Sequence, residues 1–168
     1  GNKNIEFGDI DSALYNPTDL RIFAIAAAFE NGYTVDQIED LTKIDKWFLE
    51  KLENTYTYTK VLSEYNTIDS LPAEVLAEAK RLGFSDFQIA RYVENPEGNL
   101  EKELLEVRSR RKDFGIVPKA RRIKAIASEN PEDTNYLFLT YGEGEEFVPK
   151  ETGKQSVIVM GSGAYRIG

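Results

Sequence analysis

The sequence predicts an all-α fold: a helical domain with a helix-turn-helix pseudo-repeat, followed by a short C-terminal two-strand β appendage. Three observations lead there. Apolar residues recur every three or four positions in successive stretches between Leu20 and Val107, the period of a helix with one buried face. The run Gly32-Tyr33-Thr34-Val35-Asp36-Gln37-Ile38 returns as Gly83-Phe84-Ser85-Asp86-Phe87-Gln88-Ile89, at an offset of 51. Each copy is a glycine fit to end a helix, an aromatic at the staple position, and a hydroxyl cap with Gln three residues on. The domain thus reads as two copies of a helix-turn-short-helix unit. Beyond Pro131 the texture changes, and 136–141 and 156–160 read as strands.

In chain order, residues 1–15 show no clear period and read as an irregular leader. Asn16, Pro17 and Asp19 open a helix as cap, first-turn proline and acid at the positive end. Residues 20–29 are apolar nearly all round, so that helix is expected at the centre of the domain until Gly32 ends it. A short helix over 36–41 follows the Thr34/Gln37 capping box. Thr42 as N-cap and Asp45 three residues on then start a long helix over 43–65, with Ile44, Phe48, Leu52, Val61 and Leu62 as its stripe. The TYTYT stretch within it favours strand and weakens the helix there.

Leu71-Pro72 opens the next helix, with Val75, Leu76, Ala79 and Leu82 on one face. The second capped helix runs through Tyr92 and Val93 to Asn95-Pro96. A further helix over 100–113 turns Leu100, Leu104 and Val107 inward and closes at Phe114-Gly115, with Pro118 preventing its resumption. Residues 123–128 read as one more short helix. These signals divide the chain into a leader (1–15), a helical domain (16–132) and a strand-bearing segment (133–168). A first residue of Gly suggests an excised or tagged chain rather than a natural start.

The chain has 168 residues, a net charge of −8, no cysteine and no histidine. Thiol nucleophiles, histidine bases and Cys/His zinc sites are therefore excluded. No catalytic or metal-binding residue is expected. No secretory signal or long apolar run is present, so a cytoplasmic location without membrane contact is expected. The acid pairs Glu39/Asp40 and Glu145/Glu146 read as solvated faces, since acid/base work needs a closed pocket. Trp47 and Phe48, at helical spacing with Ile44 and Leu52, are expected in the core and are also candidates for an interface, as are Arg121 and Arg122.

Charge is uneven: eight basic residues between Arg108 and Lys124 face Asp113 alone. The rival reading is a helix-turn-helix nucleic-acid binder using this 108–124 segment. Against it, 34–53 carries six acids and three lysines, which would repel phosphate. Leu82-Gly83-Phe84-Ser85 also resembles the loop of ubiquitin-associated domains, over four residues only. At the C-terminal end, 156–160 and the loop Gly161-Ser162-Gly163 with Arg166 have the form of a strand opening a phosphate site. They are candidate cofactor residues only when a following helix supplies its N-terminus.

Several segments, in order, resemble the large subunit of carbamoyl-phosphate synthase: TDLRIFAIAAAF (18–29), GYTVDQIEDLTKIDKWFL (32–49), LPAEVLAEAKRLGFSDFQIAR (71–91), TNYLFLTY (134–141) and VIVMGSGAYRIG (157–168). The resemblance is to the helical oligomerisation domain between the two synthetase halves, plus the first strand and Gly-rich loop of the second half. It implies an all-helical module that joins the two ATP-dependent halves and mediates self-association, with the synthetase halves and further copies as partners. ATP and magnesium serve the flanking halves in such enzymes, of pyrimidine or arginine biosynthesis, and no cofactor is implied for this stretch. The sequence departs from the family at Arg121-Arg122-Ile123-Lys124-Ala125, where Lys-Gln-Ile-Asp-Thr is usual.

Overall fold

The computed structural model describes residues 5–93, 100–122, 137–144, 146–147 and 153. The chain divides into two compact units, Gly1–Val117 and Pro118–Gly168.

The first unit is helical: α1 (Ile10–Tyr15), α2 (Arg21–Glu30), α3 (Val35–Thr42), α4 (Lys46–Leu62), a 3-10 turn (Ile68–Ser70), α5 (Ala73–Arg81), α6 (Asp86–Val93) and α7 (Leu100–Asp113). Its apolar side chains form two cores. One gathers Leu14, Ala24, Ile25, Ala28, Phe29, Ile38 and Leu49, with Leu52 and Tyr56 packed against it. The other gathers Leu62, Leu71, Leu76, Ala79, Phe84, Ile89 and Val107, with Tyr58 and Tyr65 alongside. Helix α4 serves both, its first half facing one core and its last turns the other.

The repeat read from the sequence is repeated in backbone hydrogen bonds. Tyr33 N donates to Ala28 O and Gly32 N to Phe29 O; at the offset of 51, Phe84 N donates to Ala79 O and Gly83 N to Lys80 O. Gly32 and Gly83 both have positive φ, 82° and 96°, which only glycine adopts at low cost. Both capping boxes form. Thr34 N donates to Gln37 Oε1 and Gln37 N to Thr34 Oγ1; Ser85 N donates to Gln88 Oε1 (2.9 Å) and Gln88 N to Ser85 Oγ (3.1 Å).

Several expectations are corrected. The leader is not irregular to residue 15: Ile10–Tyr15 is helical, capped by Asp9, whose carboxylate accepts from Ser12 N. Leu14 is fully buried there, and Tyr33 Oη donates to Asp11 Oδ1 (2.7 Å), so α1 is fastened to the following helices. Asn16 does not open α2; it closes α1, its side-chain amide donating to Ser12 O. Thr42 does not cap α4. It ends α3, where Lys43 takes the left-handed conformation, and Asp45 caps α4 by accepting from Trp47 N. The TYTYT stretch stays helical because tertiary contacts outweigh its propensity: Phe29 and Tyr56 stack at 5.9 Å, and Tyr58 Oη donates to Val75 O.

The second copy is closed by charge. Lys80, side chain 6% exposed, donates from Nζ to Phe84 O and Asp86 Oδ1, both at 2.7 Å. Arg111 Nε, reaching across from α7, donates to Asp86 Oδ2 at 2.8 Å. Asp86 therefore ties α5, the start of α6 and the end of α7 together. Burial pushes its carboxyl up, but the hydrogen bonds and charges of Lys80 and Arg111 outweigh burial and hold it below the usual range.

In the second unit β1 (Lys119–Arg122) pairs antiparallel with β2 (Leu137–Thr140), Lys119 opposite Thr140 and Arg122 opposite Leu137. A strand at 137–140 was expected, but its partner here is β1, which the sequence did not announce; Phe147 N also donates to Ala120 O. The helix expected at 123–128, the stop at Asn95-Pro96, the strand at 156–160, and Gly161, Ser162, Gly163 and Arg166 lie outside the described residues.

Asp86→Asn removes the carboxylate that Lys80 and Arg111 share and should lower unfolding free energy by about 3 kcal/mol, read by urea denaturation at pH 7. A carboxyl held low contributes stability above its unfolded-state pKa, lost as pH falls through the lower folded value. The wild type should therefore lose this increment on acidification below about pH 4, and the variant should show a flatter curve there. Equal slopes would exclude Asp86 as the source. Ser85→Ala, which removes one arm of a capping box, should cost about 1 kcal/mol in the same assay.

Candidate interaction surface

Three local signals set Trp47 and Phe48 at the start of α4. Asp45 Oδ1 accepts from Trp47 N at 2.8 Å and fixes the first turn. Lys46 Nζ meets Asp36 Oδ1 at 2.5 Å, tying α4 to α3; the Asp36 hydrogen bond raises the Lys46 pKa. Leu49, fully buried, turns the inward face of the helix to the core. Trp47 and Phe48 then point away from it.

They are 57% and 58% exposed, which corrects the expectation that they are core residues. Their rings meet edge to face at 4.9 Å, and Lys51 Nζ lies 5.4 Å from the Trp47 ring centre. An edge-to-face pair is a stiff apolar projection that loses little side-chain freedom on contact with a partner. Two large aromatics together in water are the kind of exposed apolar feature that marks an interaction site.

Helix α2 adds a second exposed apolar face, missed at the sequence level. Ala24, Ile25, Ala28 and Phe29 are buried, yet Ile22 and Phe23 are 48% and 50% exposed. The helix was expected at the centre of the domain; it lies with one side outward. The signal was present in its all-round apolarity, because a helix apolar on every face needs cover on every face.

Three arginines of the basic segment are spent inside the protein. Arg110 donates from Nε and Nη2 to Leu71 O and lies over the Phe114 ring, and Arg111 holds Asp86 and donates to Ile116 O. Arg121, an interface candidate, is 8% exposed, with its guanidinium donating to Gly142 O and packed against Gly144 within its own unit. Arg122 occupies β1, and its side chain lies outside the described set. A groove read by phosphates needs free cationic groups, and these three are engaged elsewhere.

The acid pairs offer no closed site. Asp40, highly exposed, lies 3.6 Å from Lys43, and Glu146 lies 3.9 Å from Lys119. No cluster of acids able to hold a metal occurs among the described residues. No described helix is long and apolar enough to cross a membrane.

Residues 2–115 match the family model described as carbamoyl-phosphate synthetase large chain, oligomerisation domain. The chain is 44% identical over 161 residues, 95% of its length, to multifunctional protein URA2 of Saccharomyces cerevisiae. It is 46% identical over 159 residues, 94% of its length, to multifunctional protein CAD of Squalus acanthias. It is also 42% identical over 163 residues, 96% of its length, to the mitochondrial arginine-specific carbamoyl phosphate synthase large chain of Schizosaccharomyces pombe. The chain spans 7%, 7% and 13% of those proteins respectively.

The outward position of Trp47 and Phe48 separates surface from core in a direct comparison. Leu49→Ala should cost about 3 kcal/mol in urea unfolding, whereas Trp47→Ala and Phe48→Ala should each cost about 1 kcal/mol or less. A Trp47→Ala cost matching that of Leu49→Ala would place the ring in the core.

Proposed function

The chain belongs to the family of carbamoyl-phosphate synthetase large-chain oligomerisation domains, and on that premise we propose that it is a non-catalytic helical scaffold within a far longer enzyme. In this reading it joins two ATP-dependent synthetase halves, docks against them, and brings copies of the enzyme together. ATP and magnesium are used by the halves, and this segment contributes position only. The observation that carries the proposal is the Trp47–Phe48 pair, capped and braced yet more than half exposed. Aromatic anchors of this kind supply most of the energy of a protein interface when a partner covers them. Ile22 and Phe23 on α2 offer a further apolar face to a partner.

Mass by light scattering across a concentration series tests self-association. The average mass should rise with concentration, and Trp47→Ala with Phe48→Ala should shift the midpoint upward by about 30-fold or more, the effect of losing one anchor of about 2 kcal/mol. A monomer at every concentration would remove self-association. Docking then stands or falls on calorimetric titration with separately prepared synthetase halves, where absence of heat from both would remove it too.

A further inference from the structure

Where α6 meets the end of α4, a groove of about 510 Å³ is lined by Ser63, Tyr65, Asn66, Arg91, Tyr92 and Val93. Its volume lies in the range of small-ligand sites. No acid is found among the described residues that line this groove.

The side chains facing it hold unused donors. Arg91 is half-buried and makes no hydrogen bond or ion pair among the described residues, unlike Arg110 and Arg111 on α7. Tyr65 packs against the second core through its ring, and its hydroxyl has no partner there. The Asn66 amide is likewise unengaged among the described residues. Ser63 already donates to Thr59 O at 2.9 Å, which leaves its oxygen only to accept. A larger groove of about 710 Å³ opens on the other side of Arg91 and Tyr92, lined in part by Glu6 and Glu30. No ion pair within 4.0 Å joins either acid to Arg91.

We propose that this groove binds a small organic anion, a carboxylate or a phosphate, with its oxygens on the Arg91 guanidinium and its carbon body against the Tyr65 and Tyr92 rings. A guanidinium presents its donors in a planar fork that suits both oxyanions, and hydrogen bonds to an ionised group are the strong ones. The Tyr65 hydroxyl and the Asn66 amide supply donors that are not claimed within the fold. Tyr92 stands edge-on to Phe84 at 6.1 Å, so its ring is held in orientation as a wall. This site lies apart from Trp47 and Phe48 and does not depend on the scaffold reading.

The test is a ¹⁵N-detected titration of the whole chain with phenyl phosphate and with benzoate at constant ionic strength. Benzamide serves as the neutral control. Saturable shifts at Arg91 Nε and at the Tyr65 and Asn66 amides are expected with at least one anion. Saturation by phenyl phosphate alone assigns a phosphate, by benzoate alone a carboxylate, and by both the shared oxyanion chemistry. Arg91→Gln should weaken binding tenfold or more and Tyr65→Phe a few-fold, whereas Arg81→Gln, on an exposed arginine paired with Glu78, should leave it unchanged. Tyr65→Phe keeps the ring in the core and so preserves the test should Arg91→Gln fold poorly. Absence of saturation with either anion would overturn the proposal. So would equal binding by benzamide, undiminished binding by Arg91→Gln, or binding only of a polyglutamate peptide.

Discussion

The helical unit depends on one constraint: α4 must remain a single helix through two separate cores. Its 17 residues span about 25 Å at the α-helical rise. Leu49, Leu52 and Tyr56 meet the core built from α1, α2 and α3, while Tyr58 and Leu62 meet the core built from α5, α6 and α7. A break between Tyr56 and Tyr58 would uncouple the two. That is where propensity is poorest, and the fold supplies specific support there. Tyr56 stacks on Phe29 with Lys60 4.9 Å from its ring centre, and Tyr58 donates to Val75 O. The threonines satisfy their hydroxyls on the helix itself, Thr55 on Lys51 O and Thr59 on Tyr56 O. Such back-bonding slightly weakens a helix, so the tertiary contacts of Tyr56 and Tyr58 are what hold this stretch in helical form.

With α4 in place, the two copies of the repeat share a backbone plan and differ in how they are closed. At the offset of 51, Phe29 corresponds to Lys80 and Val35 to Asp86. The first copy closes by stacking Phe29 on Tyr56; the second closes with the Lys80–Asp86–Arg111 cluster. An apolar closure tolerates sliding, whereas a hydrogen-bonded ion cluster has one geometry and is costly to leave half made. The second copy is accordingly the one that fixes the position of α7. This use of Arg111, with Arg110 on Leu71 O, also accounts for the basic run. Part of what looked in sequence like a charge stripe is internal fastening.

What could be read from the sequence was local chemistry. The glycines at positive φ, the capping boxes and the stripe on α5 each depend on residues within a few positions, and each is found where expected. Family resemblance likewise rests on contiguous segments such as IDKWFL, and the family match bears it out. What could not be read was set by contacts distant in sequence. The helix at Ile10–Tyr15 is fastened by Tyr33 to Asp11 and by burial of Leu14 among residues far along the chain. The strand Lys119–Arg122 has a composition that favours no strand and exists by pairing with Leu137–Thr140. Trp47 and Phe48 share a helical stripe with Ile44 and Leu52, and period alone does not say which members of a broad stripe fall outside the contact. The bend at Lys43 and the cap at Asp45 decide it, by setting the angle at which α4 leaves α3.

That angle bears on function. Both cores of the helical unit are closed without Trp47, Phe48, Ile22 or Phe23, since Leu49 and Ile25 fill the inward positions on the same helices. Apolar groups that the fold does not need, held outward by a cap and an ion pair, cost solubility in an isolated domain and gain stability only when covered. A chain that spans 7% of relatives such as URA2 would have abundant neighbouring surface to cover them if it stands in a protein of that length. Arg91 follows the same logic with opposite polarity. Arg110 and Arg111 are engaged in the fold, whereas Arg91 has no partner among the described residues, so its donors stand open to the proposed anion. The surface thus separates an apolar projection on the first copy from a charged groove on the second, two recognition chemistries carried by one backbone plan.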